Sequence, residues 1–239
     1  MKRGKEYMNT IGIIGAMEEE VAILKEKMSD VTVLEKAGME FYKGTLGGHP
    51  AVVVRSGIGK VNAGICTQIL ADLFQVEAVI NTGVAGSLKA EINIGDIVLS
   101  TDTMQHDVDA REFGYPLGQI PRMDTLTFPA DEALRAAALK VCREVNPEIQ
   151  VFEGRVASGD QFVADKETKD KIIANTQAYC TEMEGAAIGQ AAYLNKIPYL
   201  VIRAISDKAD DSAHVDYPTF EREAIRHTVN LVENMMKVL

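Results

Sequence analysis

The chain alternates short apolar runs, rich in β-branched residues, with longer segments that carry apolar residues at helical spacing. The apolar runs, which predict strands, are residues 11–15, 51–55, 78–81, 97–101, 155–158 and 199–205. The helical spacing covers residues 17–28, 59–74, 184–194 and 216–236. Continuous apolar strands that alternate with helices favour an α/β fold, in which helices cover a largely parallel or mixed sheet.

The length of the chain is compatible with one large domain. A chain of 239 residues can bury roughly 70–75% of its unfolded surface without a metal or disulfide. The sequence contains no internal repeat, linker or low-complexity tract. We therefore expect a single domain over residues 1–239, with residues 1–8 as a disordered extension at its start.

The charge and the apolar content exclude several classes of protein. The net charge is -10, and the lysines and arginines are scattered, so a long anionic nucleic acid would be repelled. No apolar stretch approaches the ~20 residues of a membrane span, and the first apolar run is too short for a signal peptide. We expect a cytoplasmic protein that binds a small neutral or zwitterionic ligand.

The cysteines give no sign of a metal or disulfide framework. Cys66, Cys142 and Cys180 lie far apart and form no CxxC pair. This spacing favours buried free thiols in a reducing compartment. No group of His, Cys and Asp has metal-binding spacing either, so the sequence predicts neither a metal nor a cofactor.

Acidic residues stand at three junctions between a predicted strand and a helix. Glu20 ends the run Gly-Ala-Met-Glu-Glu-Glu, Glu182 and Glu184 precede a helix rich in small residues, and Asp207 follows Arg203 at the end of the last strand. Ligands of open α/β sheets bind beyond the carboxyl ends of the strands, so we expect these side chains to share a site. Taken singly, a first-turn carboxylate is also explained by helix electrostatics.

Two glycine-bearing junctions and one aromatic residue accompany them. Residues 56–61 lack both the P-loop spacing and the third glycine of a dinucleotide fingerprint, and they can form a tight turn. Residues 83–86 can also form a tight turn, or their small side chains can let the backbone approach a ligand. Phe162, just after a strand, can stack on a planar base or be an ordinary core aromatic. Without a Ser–His–Asp set, carboxylates alone point to acid–base catalysis on a glycosidic bond.

One segment, residues 102–130, has weak periodicity and several prolines and glycines. Long irregular loops within compact domains are often lids or subunit contacts. A plain surface excursion is an equal alternative here.

Five motifs together resemble the methylthioadenosine/S-adenosylhomocysteine nucleosidases of the nucleoside phosphorylase superfamily. They occur in the order typical of that family, at residues 15–20, 56–61, 158–162, 182–186 and 203–207. The resemblance runs from Ile11 nearly to the C-terminus. It implies a three-layer α/β/α fold around a mixed, barrel-like sheet, a homodimer, and hydrolysis of an adenine nucleoside in methionine salvage.

The resemblance also implies roles for individual residues. Asp207, helped by Ser206, would protonate adenine at N7. Phe162 would stack on the adenine, and the Val163 backbone would contact its edge. Glu184 would bind the ribose hydroxyls.

Further roles complete the site that the resemblance implies. The Met183 backbone would assist at the ribose, and Glu20 would activate the attacking water. Ile58 would line the sugar or thioalkyl end. Phe113 and Pro121 would reach the pocket of a neighbouring subunit. The other candidates for substrate contact are Val84, Glu182 and Arg203.

Three alternative functions remain to be compared with hydrolysis. A phosphorylase of the same fold typically has Arg where this chain has Asn81, and Ser or Thr where it has Val84, so phosphorolysis is disfavoured. Many nucleosidases also have Ser at the latter position. A non-catalytic nucleoside-binding protein could dispense with Glu20 or Asp207, and a dinucleotide oxidoreductase lacks its glycine fingerprint.

The choice of substrate stays open at this stage. Methylthioadenosine, S-adenosylhomocysteine, deoxyadenosine and aminodeoxyfutalosine differ only at the 5′ end. That end of the pocket depends partly on the irregular segment, whose shape the sequence does not define.

Overall fold

The computed structural model describes residues 10–239, so the extension predicted at residues 1–8 lies outside the described residues. Residues 10–239 form ten strands, β1 to β10, and six helices, α1 to α6. The strands span Ile11–Gly15, Ser29–Lys36, Met39–Leu46, His49–Arg55, Ala78–Ser87, Ile97–Gln105, Phe128–Pro129, Val151–Ser158, Cys180–Glu182 and Tyr199–Asp207. The helices span Glu18–Glu26, Lys60–Phe74, Glu132–Val145, Lys166–Thr176, Gly185–Asn195 and Ala213–Met235.

Five of the strands close into a barrel. β10 pairs with both β5 and β6, and the order β10–β6–β8–β9–β5 returns to β10. The ring is mixed, because β5–β10, β6–β8 and β8–β9 are parallel whereas β6–β10 and β5–β9 are antiparallel. β1 and β4 extend the sheet in parallel from β5, and the antiparallel hairpin of β2 and β3 ends it. The predicted mixed, barrel-like sheet is confirmed.

The helices pack in two groups around this sheet. α2 packs against α5, whereas α6 packs against α1, α3 and strands β5 and β10. Every residue of β1, β5 and β10 is buried, as expected for strands covered on both faces. No helix within residues 10–239 combines the length and apolar character that a membrane crossing requires.

Several elements differ from the sequence expectation. β5 continues through residues 83–86 to Ser87, so the interpretation of these residues as a tight turn is wrong. Residues 102–105 belong to β6, which shortens the irregular segment to residues 106–127, around a 3₁₀ turn at Arg111–Phe113. α6 begins at Ala213, which places Pro218 inside the helix.

The apolar alternation does not predict α3, α4 or the β2–β3 hairpin. α3 has a cap signal that could have revealed it, since the Asp131 carboxylate accepts a hydrogen bond from the Leu134 amide at 2.8 Å. β2 is exposed along its whole length and therefore has no buried face to impose a period of two.

Candidate active site

A cavity of about 510 Å³ opens at the carboxyl ends of β1, β5 and β10. Ten of the thirteen predicted site residues line it: Glu20, Ile58, Val84, Phe162, Glu182, Met183, Glu184, Arg203, Ser206 and Asp207. They come from junctions that are far apart in sequence. The topology of the sheet therefore brings the three acidic junctions together, as their position at strand ends predicts.

The other three predicted residues lie elsewhere. The Val163 side chain is buried in a small apolar cluster with Ala157 and Ile172. Phe113 is 82% exposed in the 3₁₀ turn, and Pro121 is exposed in the irregular segment. Neither contributes to the cavity of its own chain.

The cavity also contains six residues that are not among the thirteen predicted site residues. They are Ala16, Met17, Ala85, Gly86, Thr181 and Tyr217. Tyr217, in the second turn of α6, meets Phe162 edge-on with ring centroids 5.8 Å apart. An aromatic residue in the polar first half of a helix is a weak signal, which could have drawn attention to it.

The buried guanidinium of Arg203 is the centre of the site. Its Nη2 donates to the Glu182 carboxylate and, at 2.6 Å, to Asn81 Oδ1, and lies 3.4 Å from Glu184 Oε2. Arg203 faces Gly83 in the register of β10 with β5. A Cβ on Gly83 would lie 2.2 Å from Arg203 Nη1, so a side chain at this position would force the guanidinium to move.

Glu182 is the principal counter-ion of this arginine. Its oxygens also accept hydrogen bonds from the Ser158 hydroxyl, the Glu184 amide at 3.1 Å and the Gly185 amide at 2.8 Å. With its acceptor positions occupied by the protein, Glu182 holds Arg203 and the start of α5 in place. Its carboxylate is thus a structural anchor in the wall of the cavity.

Glu20 is held near Arg203 by backbone amides. Its Oε2 accepts from Ala16 and Met17 at 2.6 and 3.0 Å, and its Oε1 from Val84 at 3.2 Å. Burial raises the pKa of Glu20, while Arg203 and the amides oppose that rise. A fixed carboxylate with a raised pKa is suited to accept a proton near neutral pH.

Glu184 joins the site to the start of α2. Its Oε1 accepts from the Gly59 amide at 2.8 Å. Burial and the neighbouring Glu182 raise the pKa of Glu184 to about 7. The group can therefore exist with or without its proton near neutrality.

Asp207 lies at the end of β10. Its Oδ2 accepts from the Ser206 hydroxyl at 2.9 Å, and its Oδ1 from the Ala209 amide at 2.8 Å. Burial raises the pKa of Asp207, against these two hydrogen bonds. A carboxyl group that keeps its proton above the usual range can act as a general acid.

The remaining wall of the cavity is apolar. The side chains of Phe162 and Ile58 are about half exposed, at 49% and 53%, and Tyr217 closes one edge. An aromatic wall beside carboxylates suits a planar heterocycle joined to a polar group. Among residues 10–239, no three His, Cys, Asp or Glu side chains are grouped to hold a metal ion.

Comparison with known proteins defines the class first: residues 10–237 match the family model of the phosphorylase superfamily. A Bacillus cereus 5′-methylthioadenosine/S-adenosylhomocysteine nucleosidase is 42% identical over 96% of this chain and 99% of its own. The chain belongs to this superfamily and, within it, to the 5′-methylthioadenosine/S-adenosylhomocysteine nucleosidase family.

Two solved structures share the fold closely. The adenine complex of the Colwellia psychrerythraea nucleosidase has a TM-score of 0.92 at 43% identity, covering 96% of this chain and 95% of that one. Futalosine hydrolase of Helicobacter pylori has a TM-score of 0.91 at 34% identity, covering 97% and 99%. The α/β fold expected from the sequence is thus shared with a known nucleosidase and a futalosine hydrolase.

The raised pKa of Glu184 should make the free energy of unfolding depend on pH. Its pKa is about 7 in the folded protein against an ordinary 4.5, so between these values the folded state holds a proton that the unfolded chain has lost. Through this group, the free energy of unfolding falls as pH rises across that range. We expect Glu184→Gln to flatten this dependence, measured by urea unfolding at both ends of the range.

The exposed Glu167 in α4 provides the control. Glu167→Gln should leave the slope of the wild-type protein unchanged. A Glu184→Gln variant with the wild-type slope would contradict the raised pKa.

Proposed function

We propose that this protein hydrolyses the N-glycosidic bond of 5′-methylthioadenosine and S-adenosylhomocysteine, releasing adenine and the thioribose product. One observation carries the proposal: Asp207 and Glu20, each fixed by its own hydrogen bonds, face one cavity with an aromatic wall. Such a pair can serve the two ends of a glycosidic cleavage, protonation of the leaving group and activation of water.

Bond cleavage begins at the base in this proposal. Phe162 stacks on adenine, the Val163 backbone contacts its edge, and Asp207 protonates N7 while the Ser206 hydroxyl orients the carboxyl group. Protonation matters because neutral adenine is a poor leaving group. General acid catalysis of this kind contributes about 10²–10⁴-fold in rate.

The sugar becomes cationic as the bond breaks. Glu184 and the Met183 backbone hold the ribose hydroxyls, and Ile58 and Val84 line the sugar and its 5′ end. Glu182 neutralises Arg203, so each of Glu20 and Glu184 that is ionised adds excess negative charge, which favours an oxocarbenium-like transition state. Glu20 then takes a proton from the water that attacks the anomeric carbon.

The electrostatics of the cavity favour water over phosphate as the nucleophile. The only cationic side chain among the described residues of its lining is Arg203, which Glu182 and Asn81 already engage. Asn81 is itself fully buried and also donates to the Ile14 carbonyl at 3.0 Å. An incoming phosphate would meet carboxylates without a free cation.

We expect adenine release without added phosphate from methylthioadenosine and S-adenosylhomocysteine. An adenine-release assay with and without phosphate measures this directly. Deoxyadenosine and aminodeoxyfutalosine belong in the same assay, because the resemblance to futalosine hydrolase extends over nearly the whole chain. Strict dependence on phosphate would contradict the proposal.

Asp207→Asn is expected to lower kcat by at least about 10²-fold, since an amide cannot supply the proton. Adenine affinity, measured by calorimetry, should change little because the Phe162 wall is intact. Asp211→Asn, an exposed neighbour, is the matched control and should keep wild-type activity. Retained turnover in Asp207→Asn would remove this residue from the acid role.

We also propose a homodimer formed through the outer faces of α2 and α5. Val61 and Leu194 are 71% and 63% exposed at a groove of about 360 Å³ between these helices, and exposed apolar patches of this kind mark interaction surfaces. The exposed Phe113 and Pro121 then reach the neighbouring site.

Mixed dimers test this arrangement. In a dimer of one Asp207→Asn chain and one Phe113→Ser chain, the second chain keeps Asp207 and receives the intact Phe113 of the first. Random mixing of the chains should therefore restore about a quarter of the sites. Mixtures no more active than the average of the two parent variants would contradict the sharing of Phe113.

The remaining elements of the proposal follow from the reaction. We propose that residues 1–239 act as one domain, with no nucleic acid, membrane or cofactor partner. Its setting would be the cytoplasm, where methionine salvage and nucleoside breakdown use these substrates.

A further inference from the structure

The start of α2 lacks a cap of its own. Its N-cap residue is Gly59, and its first turn contains no acidic residue. Two carboxylates from distant loops take the place of a cap: Glu184 accepts from the Gly59 amide, and Asp160 Oδ1 accepts from the Lys60 amide at 2.8 Å. The start of α2 is thus a junction between the ribose-binding carboxylate and the loop that carries Phe162.

Lys60, Asp107 and Asp160 form a closed ring of hydrogen bonds at this junction. The Lys60 ammonium donates to Asp107 Oδ1 at 2.6 Å, and the Asp160 amide donates to Asp107 Oδ2 at 2.9 Å. The bond from the Lys60 amide to Asp160 completes the ring. We call these three residues the Lys60–Asp107–Asp160 ring.

The ring is partly shielded from water. The Lys60 and Asp107 side chains are only 18% and 28% exposed, so salt screens their attraction less than that of a surface pair. Burial opposes ionisation of Asp107, but its bonds to Lys60 and the Asp160 amide outweigh burial and keep its pKa below the ordinary value. A second acceptor, Gln105 Oε1, lies 2.9 Å from the same ammonium.

Two members of the ring are each two residues along the sequence from a residue that lines the cavity. Ile58 precedes Lys60 by two positions, and Phe162 follows Asp160 by two. None of the three ring residues lines the cavity itself. The backbone is tightly built here, since Gly59 has a φ of 98° and a Cβ on it would lie 3.1 Å from Asp160 Oδ1.

We infer that the Lys60–Asp107–Asp160 ring is a positioning device, which sets the distance between the Ile58 and Phe162 walls and thereby the affinity for the nucleoside. The inference rests on the proposed function of the same cavity. Both walls contact the substrate before and during bond cleavage. Their displacement therefore weakens ground-state and transition-state binding alike, which raises KM and leaves kcat unchanged.

The test compares Asp160→Ala with Asp160→Asn. Alanine removes the acceptor for the Lys60 amide, whereas asparagine keeps an oxygen at that position. We expect the KM for methylthioadenosine to rise about tenfold in Asp160→Ala, with kcat within about twofold of wild type. Asp160→Asn should restore a KM near the wild-type value.

Lys60→Met removes the ion pair between Lys60 and Asp107, and this variant should also raise KM. Arg135→Met is the matched control, because it breaks a half-shielded ion pair with Glu153, remote from the cavity. This control should leave KM unchanged.

Three results would overturn the inference: an unchanged KM in Asp160→Ala and Lys60→Met, a fall in kcat without a rise in KM, or a rise in KM that accompanies dissociation to monomers. Sedimentation of each variant checks the last, since Lys60 and Asp160 border the groove between α2 and α5. Failure of the proposed function is distinguishable, because the wild-type protein would then release no adenine.

Discussion

The site depends on one buried interaction, the contact of the Arg203 guanidinium with Glu182 and Glu184. Moving a charge out of water costs several kcal/mol, and an oppositely charged partner offsets this cost only when the two groups are in close contact with good geometry. Here Gly83 provides that geometry, since any side chain at its position would collide with Arg203 and with Glu20 Oε1. The parallel pairing of β5 with β10 thus has a chemical consequence: it determines where the carboxylates of the cavity stand.

The same arrangement divides the carboxylates into groups with different properties. Glu182 is saturated by Arg203, Ser158 and backbone amides. Glu20, Glu184 and Asp207 have pKa values raised by burial, so each can exchange a proton closer to neutrality than an exposed carboxyl group. This division matches what hydrolysis of an adenine nucleoside requires, an acid at the base and a base at the water.

The motifs at strand ends predicted much of this site, because a strand, a turn and a helix start are local features. They placed Glu20, Glu184 and Asp207 together through the rule for α/β sheets. The sequence did not predict Tyr217 or the Lys60–Asp107–Asp160 ring. These contacts join segments that are far apart in the chain, and no periodic pattern of residues marks them. It also missed α3 and the exposed β2, which lie away from the junctions. Of the two interpretations offered for residues 83–86, the tight turn was wrong, because these residues continue β5, and Val84, Ala85 and Gly86 line the cavity.

The central claim is that the Asp207 carboxyl group holds a proton for the leaving base. Infrared difference spectroscopy of the wild-type protein against Asp207→Asn, across a pH titration, measures this directly. The midpoint at which the protonated-carboxyl band assigned to Asp207 disappears should lie above the ordinary pKa of aspartate, because burial raises the pKa of this group. A midpoint at or below the ordinary pKa of aspartate would contradict the claim.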